Sequence, residues 1–285
     1  MIKYLVVGKN GYIASRFLKR EISGVYCTTT DKSNKQDFYL DLRSSDDFNY
    51  NLINKNTFVL FLAAISSPDY CLENYDDAFN VNVKGTKCFI DRVLSRKARV
   101  LFFSSDIVYG ESKNVVDEES QTNPVGNYGR MKEEVENVFL NRKNFKVFRL
   151  SYVLSSQDKF VQYLINCMNS NEVAKVFDPL NRSVIYIDDV IDSIIEISRQ
   201  WREFYPSVIN MAGPHLISRK DIANSISEMF PGSLDYKVVT PDKVFYQARP
   251  QVINMKSLYI KKLLKRDTMS VQQALKNEYK IGGLK

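Results

Sequence analysis

The sequence predicts an α/β fold, a doubly wound parallel sheet with a smaller C-terminal lid, and three observations carry that prediction. Short apolar runs alternate with helical stretches over residues 1–150. The runs are apolar at every position rather than at alternate ones, which suits strands covered on both faces. The first run ends at Gly8 and passes straight into a helix. At 285 residues the chain makes one large or two intimate domains, at about 100–200 residues each.

Lys3–Val7 (KYLVV) reads as the first strand and residues 12–20 as the first helix. Val25–Thr29 and residues 57–62 are the next strands, because apolar runs this short are more readily strands than helices. A long helix is predicted over 75–96, a strand over 99–103 leading into Ser104 and Ser105, and a helix over 128–140. In that last helix Met131, Val135, Val138 and Phe139 are spaced for a buried face. Residues 146–150 form a fifth strand. Beyond 150 the pattern loosens into a helix at 156–168, a strand at 184–187, a helix at 189–199 and a strand at 208–210. Ser218 with Asp221, and Ser270 with Gln273, read as helix starts. The expected division is 1–153 plus about 183–213 for the main sheet, and about 154–182 plus 214–285 for the lid.

Composition narrows the function. With 44% hydrophobic and 26% charged residues, disorder is excluded as the main theme. No apolar stretch reaches the ~18 residues of a membrane span, and the apolar run before Gly8 is too short for a signal peptide. A cytoplasmic protein is expected, with Cys27, Cys71, Cys88 and Cys167 as reduced thiols, since they form neither a CxxC nor a zinc spacing. No metal site is expected. The single histidine, His215, has no triad or zinc partner motif around it. Net charge is +7, from 40 Lys+Arg against 33 Asp+Glu. That favours anionic ligands, but no basic run exceeds two residues, so neither nucleic acid nor membrane is an expected partner.

There are only 11 glycines, about half the usual ~7%. Two close the first strand, in Gly8-Lys9-Asn10-Gly11-Tyr12-Ile13-Ala14. Gly8 allows a tight turn and Gly11 a close backbone approach to a pyrophosphate. Ala14 allows close helix packing, and the helix N-terminus offers free N–H groups to phosphate. Asp31 follows the second strand, where a carboxylate accepts hydrogen bonds from adenosine ribose hydroxyls and repels a 2′-phosphate. The expected cofactor is therefore NAD or NADP, leaning to NAD, with Lys32 and Ser33 placed to hold a phosphate instead.

Tyr128 and Lys132 are spaced i, i+4, on one helix face. An ammonium there stabilises a tyrosinate and lowers the tyrosine pKa from ~10, so that the phenol can exchange a proton with an alcohol oxygen. Ser105 stands at the C-terminal end of the fourth strand, where the crevice of an open α/β sheet forms. It can bond a substrate oxygen and orient the tyrosine.

These pieces resemble the extended short-chain dehydrogenase/reductase family, whose core is a Rossmann-type sheet and which acts mainly on nucleotide-sugars. They stand in family order: GxxGxxA at 8–14, Asp41-Leu42, Ala63-Ala64, Asn82 with Gly85-Thr86, Ser104-Ser105-Asp106 through Tyr109-Gly110, Tyr128 to Lys132, Arg149, Arg182, Asp188-Asp189, Asn210 with Gly213, and Arg249-Pro250. The resemblance implies that Asp41 and Leu42 contact adenine, that Ala63 and Ala64 line the cofactor channel, and that Asn82 supports it. It makes Ser105, Tyr128 and Lys132 the catalytic serine, tyrosine and lysine. It sets Arg182 and Arg249 against the pyrophosphate of the sugar nucleotide, a task suited to guanidinium. Ser66, Ser67 and Tyr152 follow strands at the substrate end and are expected sugar contacts. A homodimer through the helices at 75–96 and 128–140 is a further family expectation.

Ile107 narrows the reaction. The family's dehydratases carry a glutamate there, and members that epimerise and reduce GDP-4-keto-6-deoxy-sugars carry a cysteine. Isoleucine moves no protons. Reduction of a 4-keto-6-deoxy sugar nucleotide and 4-epimerisation with tightly held NAD both remain. A non-catalytic NAD(P)-binding regulatory subunit is the third reading, against which the intact Ser105, Tyr128 and Lys132 argue. The short chain, the GKNG turn, the SSD run and Arg249-Pro250 resemble the dTDP-4-dehydrorhamnose reductase branch, which serves deoxysugar and cell-surface polysaccharide (O-antigen) biosynthesis. The branch's C-terminal GxxW is missing, and the only tryptophan is Trp201.

Overall fold

The computed structural model describes residues 3–280. Seven parallel strands form its central sheet: β1 (Lys3–Val7), β2 (Val25–Thr29), β3 (Phe38–Tyr39), β4 (Thr57–Phe61), β5 (Arg99–Ser105), β6 (Phe145–Leu150) and β7 (Val208–Met211). Their order is β7-β6-β5-β4-β1-β2-β3. The order reverses between β1 and β4, and the crevice beyond their C-terminal ends is where such a sheet holds its ligand. The four covering helices of most consequence are α1 (Tyr12–Leu18), α2 (Thr86–Ser95), α3 (Gly126–Phe139) and α4 (Ile187–Arg199).

The apolar runs follow from this two-sided cover, because successive strand residues face opposite ways. Tyr4, Val6, Phe58, Leu60, Leu101 and Phe103 enter one core with α1 and α4. Leu5, Val7, Val59, Phe61, Val100 and Phe102 enter the other with α2 and α3. A buried ring such as Phe61 or Phe102 stabilises by roughly 1.5–3 kcal/mol.

A second, four-stranded sheet joins Leu216–Ser218, Asn181–Ser183, Val252–Met255 and Ser112–Val116. Ser112–Val116 comes from the segment after β5, so the first half of the chain also builds this smaller layer. Capping boxes head Arg219–Met229 and Val271–Tyr279, from Ser218 with Asp221 and from Ser270 with Gln273. No helix among the described residues is long and apolar enough to cross a membrane.

The structure departs from the sequence pattern at several points. The long helix expected over 75–96 is three pieces: Tyr75–Phe79, a π-helical turn Asn80–Gly85, and α2. Gly85 is what the packing demands there, because a Cβ would lie 1.6 Å from the Leu42 carbonyl oxygen. Val138 is 49% exposed rather than buried. The inner face of α3 is the row Tyr128, Lys132, Glu136 flanked by Met131, Val135 and Phe139. The helix expected from 156 starts at Lys159, after the Asp158 side chain accepts from the Phe160 and Val161 N–H groups. The strand expected over 184–187 shrinks to Ile185–Tyr186, since Ile187 already opens α4.

Candidate active site

The first turn is shaped for close approach. Gly8 has φ +94°, and a Cβ on it would lie 2.9 Å from the Ala63 backbone. The turn closes with a hydrogen bond from Gly11 N–H to the Gly8 carbonyl (3.0 Å). Gly11 is the N-cap of α1, and no side chain caps that helix, which leaves its first N–H groups for an anion. Tyr12 ties the turn to the far side of the crevice, donating to Ser155 Oγ (2.7 Å). Ile13 is buried and Asn10 is exposed. A dinucleotide pyrophosphate fits this cradle.

The region after β2 and β3, where the adenosine is expected, is polar and open. Asp31 is exposed and accepts from the Ser33 N–H (2.8 Å) and hydroxyl (2.6 Å), and those bonds lower its pKa. Lys32 stands 5.2 Å from the Tyr39 ring centroid. Lys9 pairs with Asp37. Asp41 caps the turn that follows it, accepting from Arg43 N–H (2.9 Å), and Leu42 is buried with its carbonyl against Gly85. Ala63 and Ala64 follow β4. Asn82, on the π turn, accepts from Ile65 N–H (2.8 Å) and donates to the Ile65 carbonyl (2.9 Å). Asn82 thus holds the loop that carries Ala63 and Ala64.

Ser105 ends β5 and is half-buried. Its hydroxyl donates to Asp106 (3.2 Å) and accepts from Ile107 N–H (3.4 Å). Lys132 is 4% exposed, donates to the Phe103 carbonyl (2.8 Å), and stands 5.8 Å from the Tyr128 ring centroid. Lys132 thus stands beside Tyr128 and against the end of β5, two residues from Ser105. The expected acidification of Tyr128 is not found. Burial raises its pKa well above 10, with Cys71 and Asp106 adding to the rise. Burial also lowers Lys132 itself from 10.5 to about 8.

That lowering has a consequence for stability. Between pH ~8 and ~10.5 the unfolded chain holds a proton on Lys132 that the folded chain lacks, so this group adds stability as pH rises through that window. At neutral pH the full cost of burying the ammonium is present, roughly 3 kcal/mol, against about 1 kcal/mol for its hydrogen bond. Lys132→Met is expected to raise the unfolding free energy by about 2 kcal/mol at pH 7 and by less near pH ~9.5, while abolishing turnover. Denaturant melts at the two pH values, with an activity assay, check this. A variant less stable at pH 7 contradicts it.

Two site residues escaped the sequence reading. Asp106 is buried, accepts from Ser105 and from Ser151 (3.1 Å), and lies 3.5 Å from Arg182 Nε. Burial raises its pKa. Its signal was the SSD run itself, an acid immediately after the serine at a strand end. Cys71 packs with Tyr128, Met131 and Ala78, and no motif marked it.

The substrate-side expectations divide. Arg182 donates to the carbonyls of Asn181 and Pro250 (2.8 and 2.7 Å). Arg249 forms a two-pronged pair with Asp69 (2.6 Å for both bonds) over the Phe245 ring. Ser66 is exposed, and Ser67 caps the helix Pro68–Glu73. Tyr152 gives its hydroxyl to Asp158, inside the cap of the next helix. His215 is exposed. Behind the site, Arg149 pairs with Glu136 (2.6 Å) and donates to Tyr109 (2.8 Å), which donates to Asn210 (3.0 Å).

Residues 2–281 match the family model of the RmlD substrate binding domain. The chain belongs to that family. The RmlD family has the extended short-chain dehydrogenase/reductase architecture described above. No curated protein matches the chain. Among solved structures, a dTDP-4-dehydrorhamnose reductase from Clostridium acetobutylicum superposes with a TM-score of 0.82 at 22% identity, covering 99% of this chain and 100% of that one. A UDP-glucuronic acid 4-epimerase from Bacillus cereus, in complex with UDP-glucuronic acid and NAD, gives 0.78 at 21% identity, covering 98% of each chain. A UDP-glucose-4-epimerase from Stenotrophomonas maltophila, with bound NAD, gives 0.81 at 16%, covering 98% and 97%. At these identities the likeness is one of fold.

Proposed function

We propose that the chain is an NAD(P)-dependent oxidoreductase of nucleotide-activated sugars, and that it reduces the keto group of a 4-keto-6-deoxy sugar nucleotide. The observation that supports this reading is Lys132 standing beside the Tyr128 ring and bonded to the Phe103 carbonyl, two residues before Ser105, in a sheet whose first strand ends in the Gly8–Gly11 turn. The bound nicotinamide supplies hydride. Residues 1–153 with about 183–213 hold the dinucleotide, and about 154–182 with 214–285 hold the sugar nucleotide, its pyrophosphate against Arg182 and Arg249.

The chain's own residues handle the proton. Ser105 donates to the substrate carbonyl oxygen and fixes it toward Tyr128. The phenol gives its proton to that oxygen as negative charge develops there. A phenol, with an ordinary pKa of ~10, is protonated at neutral pH and so has the proton to give. Lys132 holds positive charge near the phenolate left behind, which lowers the cost of giving up the proton. A 4-epimerase is the second reading, supported by superpositions nearly as close as that of the reductase. It would need Tyr128 to take a proton first and return it later. The two separate by stoichiometry: a reductase consumes NAD(P)H mole for mole, and an epimerase shows no net change.

The exposed carboxylate of Asp31 supports NADH over NADPH, because a 2′-phosphate beside it meets like charge. Asp31→Ala is expected to shift the NADPH/NADH affinity ratio toward NADPH by roughly tenfold, as Lys32 and Ser33 are left to bind phosphate. Fluorescence titration of both cofactors checks this, and an unchanged ratio removes Asp31 from the specificity assignment.

A further inference from the structure

The central sheet has two open ends, and the site above uses one. At the other, beyond the N-terminal ends of β4, β5, β6 and β7, lies a cleft of about 1420 Å³. Eight of the 40 Lys and Arg residues line it, against one of the 33 acids, Glu203. The 32 cations and 32 carboxylates elsewhere cancel, so the formal net charge of +7 is the charge of this cleft. Charge that looks diffuse along the sequence is gathered in space.

Little in the protein neutralises it. Arg142 and Arg199 reach Asp91 and Glu196 (3.5 and 2.8 Å). Among the described residues, no carboxylate lies within ion-pair distance of Lys55, Lys97, Arg99, Lys143, Lys146 or Arg202. Two of these are sunk into the floor. Lys146 is 5% exposed, donates to the carbonyls of Phe204 and Pro206 (2.7 and 2.8 Å), and stands 5.2 Å from the Trp201 ring. Arg99 lies between the Phe58 and Trp201 rings, at 5.2 and 6.0 Å. Helix dipoles do not account for the set. The C-terminal ends of α2, α3 and α4 offer roughly half a negative charge each, far short of seven. Like charges held together destabilise a fold, and only Lys146 and Arg99, with carbonyl and ring partners, have a structural return for it. On the rim, Tyr205 is 88% exposed, an aromatic face that the core does not use.

We propose that this cleft binds a nucleoside polyphosphate, with the phosphates on Lys97, Lys143 and Arg202 and the base on Tyr205. The site is distinct from the crevice that holds Ser105. β5 runs from Arg99 to Ser105, and six steps of about 3.3 Å put the two ends about 20 Å apart. The inference does not rest on the proposed chemistry.

Calorimetric titration of the full-length protein with ATP and with inorganic tripolyphosphate, at about 0.15 M salt and with saturating NADH in the crevice, tests it. One equivalent of each is expected to bind, with ATP about tenfold tighter through stacking. A Lys97→Ala/Lys143→Ala/Arg202→Ala variant, altered only at exposed positions, should lose at least about tenfold for both probes and melt as the wild type does. Tyr205→Ala should erase the advantage of ATP and leave tripolyphosphate unaffected. NADH affinity should be unchanged in every variant. Three results overturn the proposal: no saturable binding of either probe, binding that the triple variant retains, or a short single-stranded oligonucleotide that binds through the same residues more tightly than ATP.

Discussion

Tyr128→Phe is expected to keep its affinity for NADH and to lose about 10²–10⁴-fold in turnover, the usual worth of a positioned proton donor. Phenylalanine preserves the ring that packs with Cys71, Ala78, Val83 and Met131. It also preserves the face presented to the Lys132 ammonium. Among the described residues no protein group hydrogen-bonds the Tyr128 hydroxyl, so its removal leaves no orphaned partner and the melting temperature should hold. The substitution therefore isolates the proton. Steady-state rates together with a cofactor titration read it, and a variant with wild-type turnover contradicts the assignment. Loss of NADH binding instead would make Tyr128 a packing residue of the cofactor cleft.

The largest expected effect on stability lies one layer behind the site. Glu136 and Arg149 have side chains only 1% and 6% exposed and share a two-pronged ion pair. Arg149→Met strands a buried carboxylate, while the Tyr109 hydroxyl keeps Asp117 and Asn210 as partners, and is expected to cost about 3–5 kcal/mol. The pair itself is not what makes the fold stable, because burying two charges offsets most of their attraction. A Glu136→Leu/Arg149→Met double variant should recover most of the loss. Glu136 also sits one turn beyond Lys132 on the inner face of α3. The single variant should therefore also slow turnover, by letting the helix that carries Tyr128 shift. Denaturant unfolding of the three variants checks this; equal losses in the single and the double would contradict it.

The fold was legible because its signals are local. KYLVV before Gly8 and VYCTT before Asp31 are continuous apolar runs with a sharp end, and the two capping boxes need only four residues each. The placement of the candidate trio was legible for the same reason: Tyr128 and Lys132 are one helical turn apart, and Ser105 ends a strand. What escaped depends on contacts between distant segments. The π turn at Asn80–Gly85 is matched to a carbonyl 43 residues earlier, at Leu42. Asp106 becomes a buried acid only when Arg182 and Ser151 close over it. Tyr152 is placed at the substrate end by its strand, yet its hydroxyl turns to Asp158, a direction set by the next helix cap. The basic cleft is assembled from the beginnings of four strands and the ends of three helices, so no window along the chain contains it.

We propose hydride transfer to a sugar nucleotide at Ser105, Tyr128 and Lys132. Its most direct test follows NADH and NADPH absorbance as 4-keto-6-deoxy sugars linked to dTDP, UDP or GDP are added to the purified protein. The account predicts oxidation of the reduced cofactor, mole for mole with sugar product, for at least one of the three. No oxidation with any of them, from a protein that is folded and binds the cofactor, would contradict it.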